Sequence, residues 1–110
     1  MLVKTDPTTY RPTAETARHV IARDGHCTFP HCNQPAHRCD LDHRESFNHQ
    51  NPEAGGQTTP DNLHPLCHRH HQLKTHHPDW SVTRDPDTGV TRWTSPTGHH
   101  YDSPPHTYRE

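Results

Sequence analysis

Apolar residues are sparse along the chain, and they recur at helical spacing in one stretch near its start, directly after Pro12. The spacing predicts a short amphipathic helix from Thr13 to Arg23. Its apolar positions are Ala14, Ala17, Val20 and Ile21. The segment from about Cys67 to His76 contains neither Pro nor Gly and is soon followed by Pro78, which predicts a second helix.

Several short segments are typical of strands. The chain alternates between charged residues and Cys, Leu or His over positions 39 to 44, which predicts one strand. Asn62 to Leu66 predicts a second strand, and the long loop from Glu45 to Asp61 connects the two. Trp80 to Arg84 and Gly89 to Thr94 flank a turn-rich segment, which predicts a β-hairpin. The chain therefore divides into a flexible lead-in (1–12), a central domain (13–78), a hairpin extension (79–101) and a flexible tail (102–110).

The amino-acid composition shows that apolar burial alone cannot stabilise these elements, because so few residues can form an apolar core. The chain has only twelve Leu, Ile, Val and Phe among 110 residues, which is too few to offset about 1 to 2 kcal/mol of backbone entropy per ordered residue. It also has four Cys and fifteen His. Bound metal is therefore the expected source of stability.

Other features narrow the class of protein. No apolar run approaches the ~20 residues of a membrane span, and the first ten residues lack the apolar region of a signal peptide, so we expect a cytoplasmic protein with no membrane partner. A reducing compartment disfavours disulfides and leaves the thiolates free for metal. The net charge of −2 restricts any nucleic-acid contact to a local surface. The sequence does not indicate an oligomeric state.

Two Cys/His pairs have the spacing of a structural zinc site. Cys27 and Cys32 lie in a loop rich in Gly and Pro, and Cys67 and His70 are three residues apart at the start of the second helix. Three thiolates and one imidazole favour Zn²⁺. Cys39 is left over, either as a small buried residue or as the fourth ligand in place of His70.

A second group of residues lies outside the zinc set. His71 projects about 100° away from His70 around the helix, so the two histidines serve different sites. Asp42 and His71 can offer an oxygen and a nitrogen to a divalent ion, which leaves His43 to act as a base. This is the minimum set for metal-assisted hydrolysis of a phosphodiester.

These motifs resemble the HNH endonuclease family, in the branch that is braced by zinc. The resemblance covers about residues 23–78 and rests on Leu41-Asp42-His43, Asn62-Leu63 and the segment from Leu66 to Lys74. It implies a small α+β domain of the ββα-metal (treble-clef) type. It further implies that His43 is the general base, that Asp42 and His71 hold a catalytic divalent ion (Mg²⁺, Mn²⁺ or another transition ion), and that Asn62 braces the loop that positions His43.

The resemblance also implies that the partner is DNA, which would be cut to leave a 5′-phosphate and a 3′-hydroxyl. Cationic residues near the site are expected to contact its phosphates, and these are Arg38, Arg44, Arg69 and Lys74. Two other functions stay open at this point. One is a zinc-stabilised nucleic-acid-binding module without hydrolysis, and the other is a His-rich metal-storage protein, which would bind many ions per chain.

Overall fold

The structure is a computed structural model that describes residues 9–105. Helix α1 spans Ala14–Asp24, close to the predicted range. It begins there because the hydroxyl of Thr13 accepts a hydrogen bond from the backbone N–H of Thr16. It ends at Gly25, whose φ of 76° lies in the left-handed region that glycine adopts without strain.

Strands β1, Asp40–His43, and β2, Leu63–Leu66, form a two-stranded antiparallel sheet. Both lie where the sequence predicted strands. The register pairs Asp42 with His64, so these two side chains lie next to each other on one face of the sheet.

The predicted loop between β1 and β2 contains one short 3₁₀ turn, Pro52–Ala54. Its two ends approach closely near Gly56, where a Cβ atom would lie 1.9 Å from the carbonyl oxygen of Glu45. Only glycine fits at this position, and the loop can therefore fold back onto the end of β1.

Helix α2 spans His68–His76, and Cys67 is its N-cap residue. The sequence predicted this helix from Cys67 to His76. α2 packs against β1, which places the histidines of its first two turns close to the acidic residues of that strand.

The C-terminal part is a three-stranded antiparallel sheet in the order β3, Ser81–Arg84, then β4, Thr91–Thr94, then β5, His100–Ser103. The sequence predicted only the hairpin of β3 and β4, and its proposed tail from residue 102 was wrong for Asp102 and Ser103. β5 was missed because it has no alternation of apolar residues. A turn closed by Ser95 and Gly98 and an ion pair between Arg92 and Asp102 hold it in place.

The sequence predicted a flexible lead-in over residues 1–12, but its described part, from residue 9 onwards, packs against the rest of the protein. Residues 1–8 lie outside the described part, as do residues 106–110 of the predicted tail. Tyr10 stacks on the ring of His43, and the carbonyl oxygen of Thr9 accepts a hydrogen bond from Thr58. This end of the chain therefore contacts the candidate site.

The buried core is built around cysteines as much as around aliphatic residues. Its members are Cys27, Leu66, Cys67, Val82 and Trp93, and Phe29, Cys32, Cys39 and Trp80 pack against them. The core thus joins α2 to the C-terminal sheet through a cluster of sulfur atoms. Neither helix in residues 9–105 is long and apolar enough to cross a membrane.

Candidate functional site

Four side chains from two separate segments meet at the core. Cys27 and Cys32 come from the loop after α1, and Cys67 and His70 come from the start of α2. Their ligand atoms all lie within 4.8 Å of one another. The distances are 4.0 Å between the sulfurs of Cys32 and Cys67, 3.7 Å from Cys27 Sγ to His70 Nδ1, and 3.2 Å from Cys67 Sγ to His70 Nδ1.

This cluster fits a zinc ion. Two sulfurs at about 2.3 Å from a tetrahedral Zn²⁺ are roughly 3.8 Å apart, which is close to the spacing found. Burial raises the pKa of the Cys27 thiol, and burial followed by the charge of Arg69 lowers the pKa of His70. A bound cation stabilises the thiolates that burial alone disfavours. The four residues could therefore hold a structural zinc ion, as the sequence predicted.

Cys39 lies beside this cluster and is outside the four-residue set. Its thiol donates a hydrogen bond to the carbonyl oxygen of Pro35 at 3.4 Å, and burial raises its pKa to about 11. The sequence left two roles open for Cys39, a small packed residue or the fourth metal ligand. The arrangement favours the first role, because His70 is the fourth member of the ligand group.

The second site is centred on Asp42, whose side chain is 10% exposed. Its Oδ2 atom accepts hydrogen bonds from His64 Nε2 at 2.8 Å and Lys74 Nζ at 2.9 Å. Burial opposes ionisation of this carboxyl, but the hydrogen bond from His64 and the charge of Lys74 outweigh it and hold its pKa below the ordinary value. Asp42 is therefore ionised at neutral pH, with Oδ2 fully engaged.

His64 is fully buried, and this burial lowers its pKa to about 4. It is neutral at pH 7 and donates Nε2–H to Asp42. Its Nδ1 then accepts a hydrogen bond from the hydroxyl of Thr28 at 2.6 Å. A buried chain of hydrogen bonds thus connects Asp42 to the residue that follows Cys27.

His71 lies between two carboxylates of strand β1. Its Nδ1 is 3.0 Å from Asp40 Oδ2, and its Nε2 is 3.4 Å from Asp42 Oδ1. Asp40 and Asp42 are two residues apart on a strand, so they share one face and both reach the helix. The structure therefore brings Asp42 and His71 together, and it separates His71 from His70, which belongs to the cluster of three cysteines and one histidine.

His43 follows Asp42 and is only 7% exposed. Its Nε2 is 2.9 Å from the hydroxyl of Thr58. That hydroxyl donates its own proton to the carbonyl oxygen of Thr9, so it accepts from His43. The lone pair of the neutral ring consequently lies on Nδ1.

The pKa of His43 is lowered from its ordinary value. Burial is the main cause and the charges of Lys74 and His49 add to it, while Asp42 acts in the opposite direction. His43 is therefore neutral at pH 7 and able to accept a proton.

Asn62 connects the two ends of the loop between β1 and β2. Its side-chain oxygen accepts from the N–H of Glu45 at 2.9 Å, and its amide donates to the carbonyl oxygens of Glu45 at 3.1 Å and Gln57 at 2.9 Å. Gln57 directly precedes Thr58, the partner of His43. Asn62 thus holds the loop that contains this partner.

The predicted DNA contacts differ in their exposure. Arg69 is exposed, as is Arg38, whereas Lys74 is engaged with Asp42 and with the carbonyl oxygen of His43. Arg44 donates to Thr91 of β4 through Nη2, and its Nε and Nη1 are shielded from solvent. The prediction of a phosphate contact at Arg44 is therefore disfavoured, because its guanidinium is turned towards the C-terminal sheet.

The residues around Asp42 line two neighbouring grooves on the protein surface. Asp42 and His43 line the first, of about 510 Å³, and Asp40 and His71 line the second, of about 580 Å³. Tyr10, which is 49% exposed, lines both grooves and lies where they meet.

The chain is similar to mycobacterial proteins whose names assign no function. The uncharacterized protein Rv3776 of Mycobacterium tuberculosis (strain ATCC 25618 / H37Rv) is 44% identical over 96 residues, which cover 87% of this chain and 17% of that protein. The uncharacterized protein Rv2100 of the same strain is 43% identical over 96 residues, with coverage of 87% and 16%. The chain spans about a sixth of the length of these relatives. No family model and no solved structure matches it.

Sequence reasoning missed three residues that hold the second site, namely Asp40, Thr58 and His64. Two of them could have been identified from the sequence by their positions on the predicted strands. Asp40 is on the same strand face as Asp42, and His64 is the partner of Asp42 once the two strands are aligned. Thr58 lies in a long loop with no periodicity, so nothing in its sequence context indicates a contact with His43.

Proposed function

We propose that this chain is a metal-dependent nuclease domain of the HNH type, with a ββα-metal arrangement formed by β1, β2 and α2. The proposal rests on one observation above all. Asp42 Oδ1 and His71 Nε2 are 3.4 Å apart, next to a buried, neutral His43. An oxygen and a nitrogen ligand beside a base are what the hydrolysis of a phosphodiester requires.

The spacing of this pair suits a divalent ion. Ligand atoms lie about 2.1 Å from such ions, so the separation of 3.4 Å would allow one ion to be held by both side chains. The other oxygen of Asp42 is occupied by His64 and Lys74, which leaves Oδ1 for the ion. A nitrogen ligand favours Mn²⁺, Co²⁺ or Ni²⁺ at least as much as Mg²⁺.

In this proposal His43 takes the proton of the attacking water. Thr58 holds its Nε2, so Nδ1 carries the lone pair that accepts the proton. Tyr10 stacks on the ring at a centroid distance of 5.3 Å and limits its rotation. Asn62 holds the loop that contains Thr58. A divalent ion at Asp42 and His71 would act as a Lewis acid on the phosphate.

Nucleic acid is the proposed substrate, and an exposed cationic cleft supports this choice. The cleft lies over the zinc cluster and includes Arg38 and Arg69 but no acidic residue. His68 lines both this cleft and the groove that contains His71. A phosphate backbone bound to the two arginines would therefore continue towards the candidate ion site.

The test is a nicking assay on supercoiled plasmid with added Mn²⁺. We expect cleavage by the wild-type protein and a decrease of about 10²- to 10⁴-fold in His43→Ala, because a general base contributes this much to the rate. His19→Ala, which changes an exposed histidine on α1, should cleave at the wild-type rate. Asp42→Ala should lose cleavage but keep one tightly bound zinc ion.

Two results would contradict the proposal. Plasmid binding without cleavage by the wild-type protein would identify the alternative, a zinc-stabilised binding module. Loss of the tight zinc ion in Asp42→Ala would show that the two ion sites are not separate.

A further inference from the structure

Asp40 contacts His71, although Asp40 is not one of the residues to which the proposed function gives a role. Its Oδ2 lies 3.0 Å from Nδ1 of His71, within hydrogen-bond distance. The opposite nitrogen, Nε2, faces Asp42 Oδ1. The imidazole is therefore held at Nδ1 by Asp40, while its Nε2 lies beside the oxygen of Asp42 that His64 and Lys74 leave free.

The chemistry of the two groups decides which nitrogen carries the proton. An ionised carboxylate can only accept a hydrogen bond, so Nδ1 must donate to Asp40. A neutral imidazole has one N–H, and its Nε2 then carries a lone pair. Nε2 is the atom that the proposed function assigns to the divalent ion.

We propose that Asp40 is a positioning residue that holds His71 in the tautomer and the ring orientation needed to bind a divalent ion. The inference rests on the proposed function, because it assumes an ion between Asp42 and His71. Carboxylate partners of this kind typically change metal affinity by 10- to 100-fold.

The other neighbours of Asp40 do not account for its position. His68 is also near, but its Nδ1 is 3.7 Å from the same oxygen and is too far for a hydrogen bond. The side chain of Asp40 is 48% exposed and lies outside the buried core. Its removal should therefore leave the fold intact, which makes the role testable.

The experiment measures the affinity of the zinc-loaded protein for Mn²⁺ by titration calorimetry, without substrate. Asp40→Ala should bind Mn²⁺ 10- to 100-fold more weakly than the wild type. Asp40→Asn keeps an oxygen that can accept from Nδ1, so it should recover most of that loss. Asp79→Ala removes one exposed acidic residue elsewhere and should leave the affinity unchanged. Zinc content and thermal unfolding should be the same in all three variants.

Asp42→Ala serves as the reference that identifies the site. If the wild type shows no Mn²⁺ binding that depends on Asp42, both the proposed ion site and this inference are overturned. If such binding exists and Asp40→Ala retains it at full strength, the inference alone is overturned. A loss of affinity in Asp40→Ala that Asp40→Asn does not relieve would also contradict it, because the hydrogen bond would then not be the cause.

Discussion

Three histidines surround Asp42, and their partners give each ring a different role. His64 is buried and donates to the carboxylate, His71 faces its free oxygen, and His43 is held by Thr58. In a chain with fifteen histidines, residue type alone cannot separate these roles. The hydrogen bond made by one ring nitrogen determines what the other nitrogen can do.

The pKa of His43 leads to a prediction about pH. Only the neutral ring accepts a proton, and burial lowers its pKa, so single-turnover cleavage at saturating Mn²⁺ should rise with pH through a midpoint below the ordinary ~6.5. The rate should be level by about pH 7 and should fall as the pH decreases. In His43→Ala, residual cleavage should lose this inflection. A variant that kept the wild-type profile at a similar rate would exclude His43 as the base.

For individual residues, the sequence indicates a role only where the residue belongs to a recognisable motif. Asp42, His43, Asn62 and His71 could be chosen because their order and spacing resemble those of a known family. The contacts that hold them depend on strand register and on a loop without periodicity. Thr58 shows the limit, since a buried threonine in such a loop has no distinguishing pattern.

Among the elements, the loop between β1 and β2 depends most on a single side chain. Asn62 makes two hydrogen bonds to Glu45 across the ends of this loop and a third to Gln57 within it, and each is worth about 0.5 to 1.5 kcal/mol. The loop positions Thr58 and through it His43. Its geometry therefore affects the candidate base without any direct contact from Asn62.

Replacement of Asn62 tests this dependence. We expect Asn62→Ala to lower the free energy of unfolding by about 1 to 3 kcal/mol and to slow cleavage about tenfold or more, with no change in zinc content. Asn48→Ala is a matched control, because the side chain of Asn48 accepts hydrogen bonds from its near neighbours Gln50 and Asn51 and, within residues 9–105, does not bridge the ends of the loop. Denaturant unfolding and the plasmid assay measure both effects. Equal effects of the two variants would show that bridging the ends of the loop is unimportant.

The elements themselves were largely predictable. Helical spacing, a stop at Pro78 and short alternating segments identified α1, α2 and the first four strands. β5 was not predictable in this way, since it has no apolar pattern and is held by backbone pairing with β4, a turn and a surface ion pair. A polar edge strand of this kind forms because its backbone pairs with the neighbouring strand, and its own sequence shows no strand pattern.

For the molecule as a whole, the Cys/His cluster that could hold zinc is part of the buried core. Cys27 and Cys67 are core residues, and Phe29 stacks on His70 at a centroid distance of 4.1 Å. This explains how a chain with so few aliphatic residues can be ordered. Binding of zinc by three thiolates and an imidazole contributes of the order of 10 kcal/mol to folding in such sites.

Removal of zinc should therefore unfold the protein. We expect a strong chelator to abolish the cooperative thermal transition seen by circular dichroism, and Cys27→Ser and Cys67→Ser to be unfolded as purified. Restored zinc should restore the transition in the wild type only. Cooperative unfolding of metal-free protein at the midpoint of the zinc form would contradict a stabilising role for this cluster.

Both tryptophans of the chain lie in or against this core, which determines where the intrinsic fluorescence of the protein originates. Trp93 is completely buried, donates to the carbonyl oxygen of Thr28 and lies 6.2 Å from Trp80, and both rings contact Phe29. All of the indole emission therefore originates beside the cluster of sulfur atoms. The intrinsic fluorescence of the protein should therefore change when zinc enters or leaves that cluster.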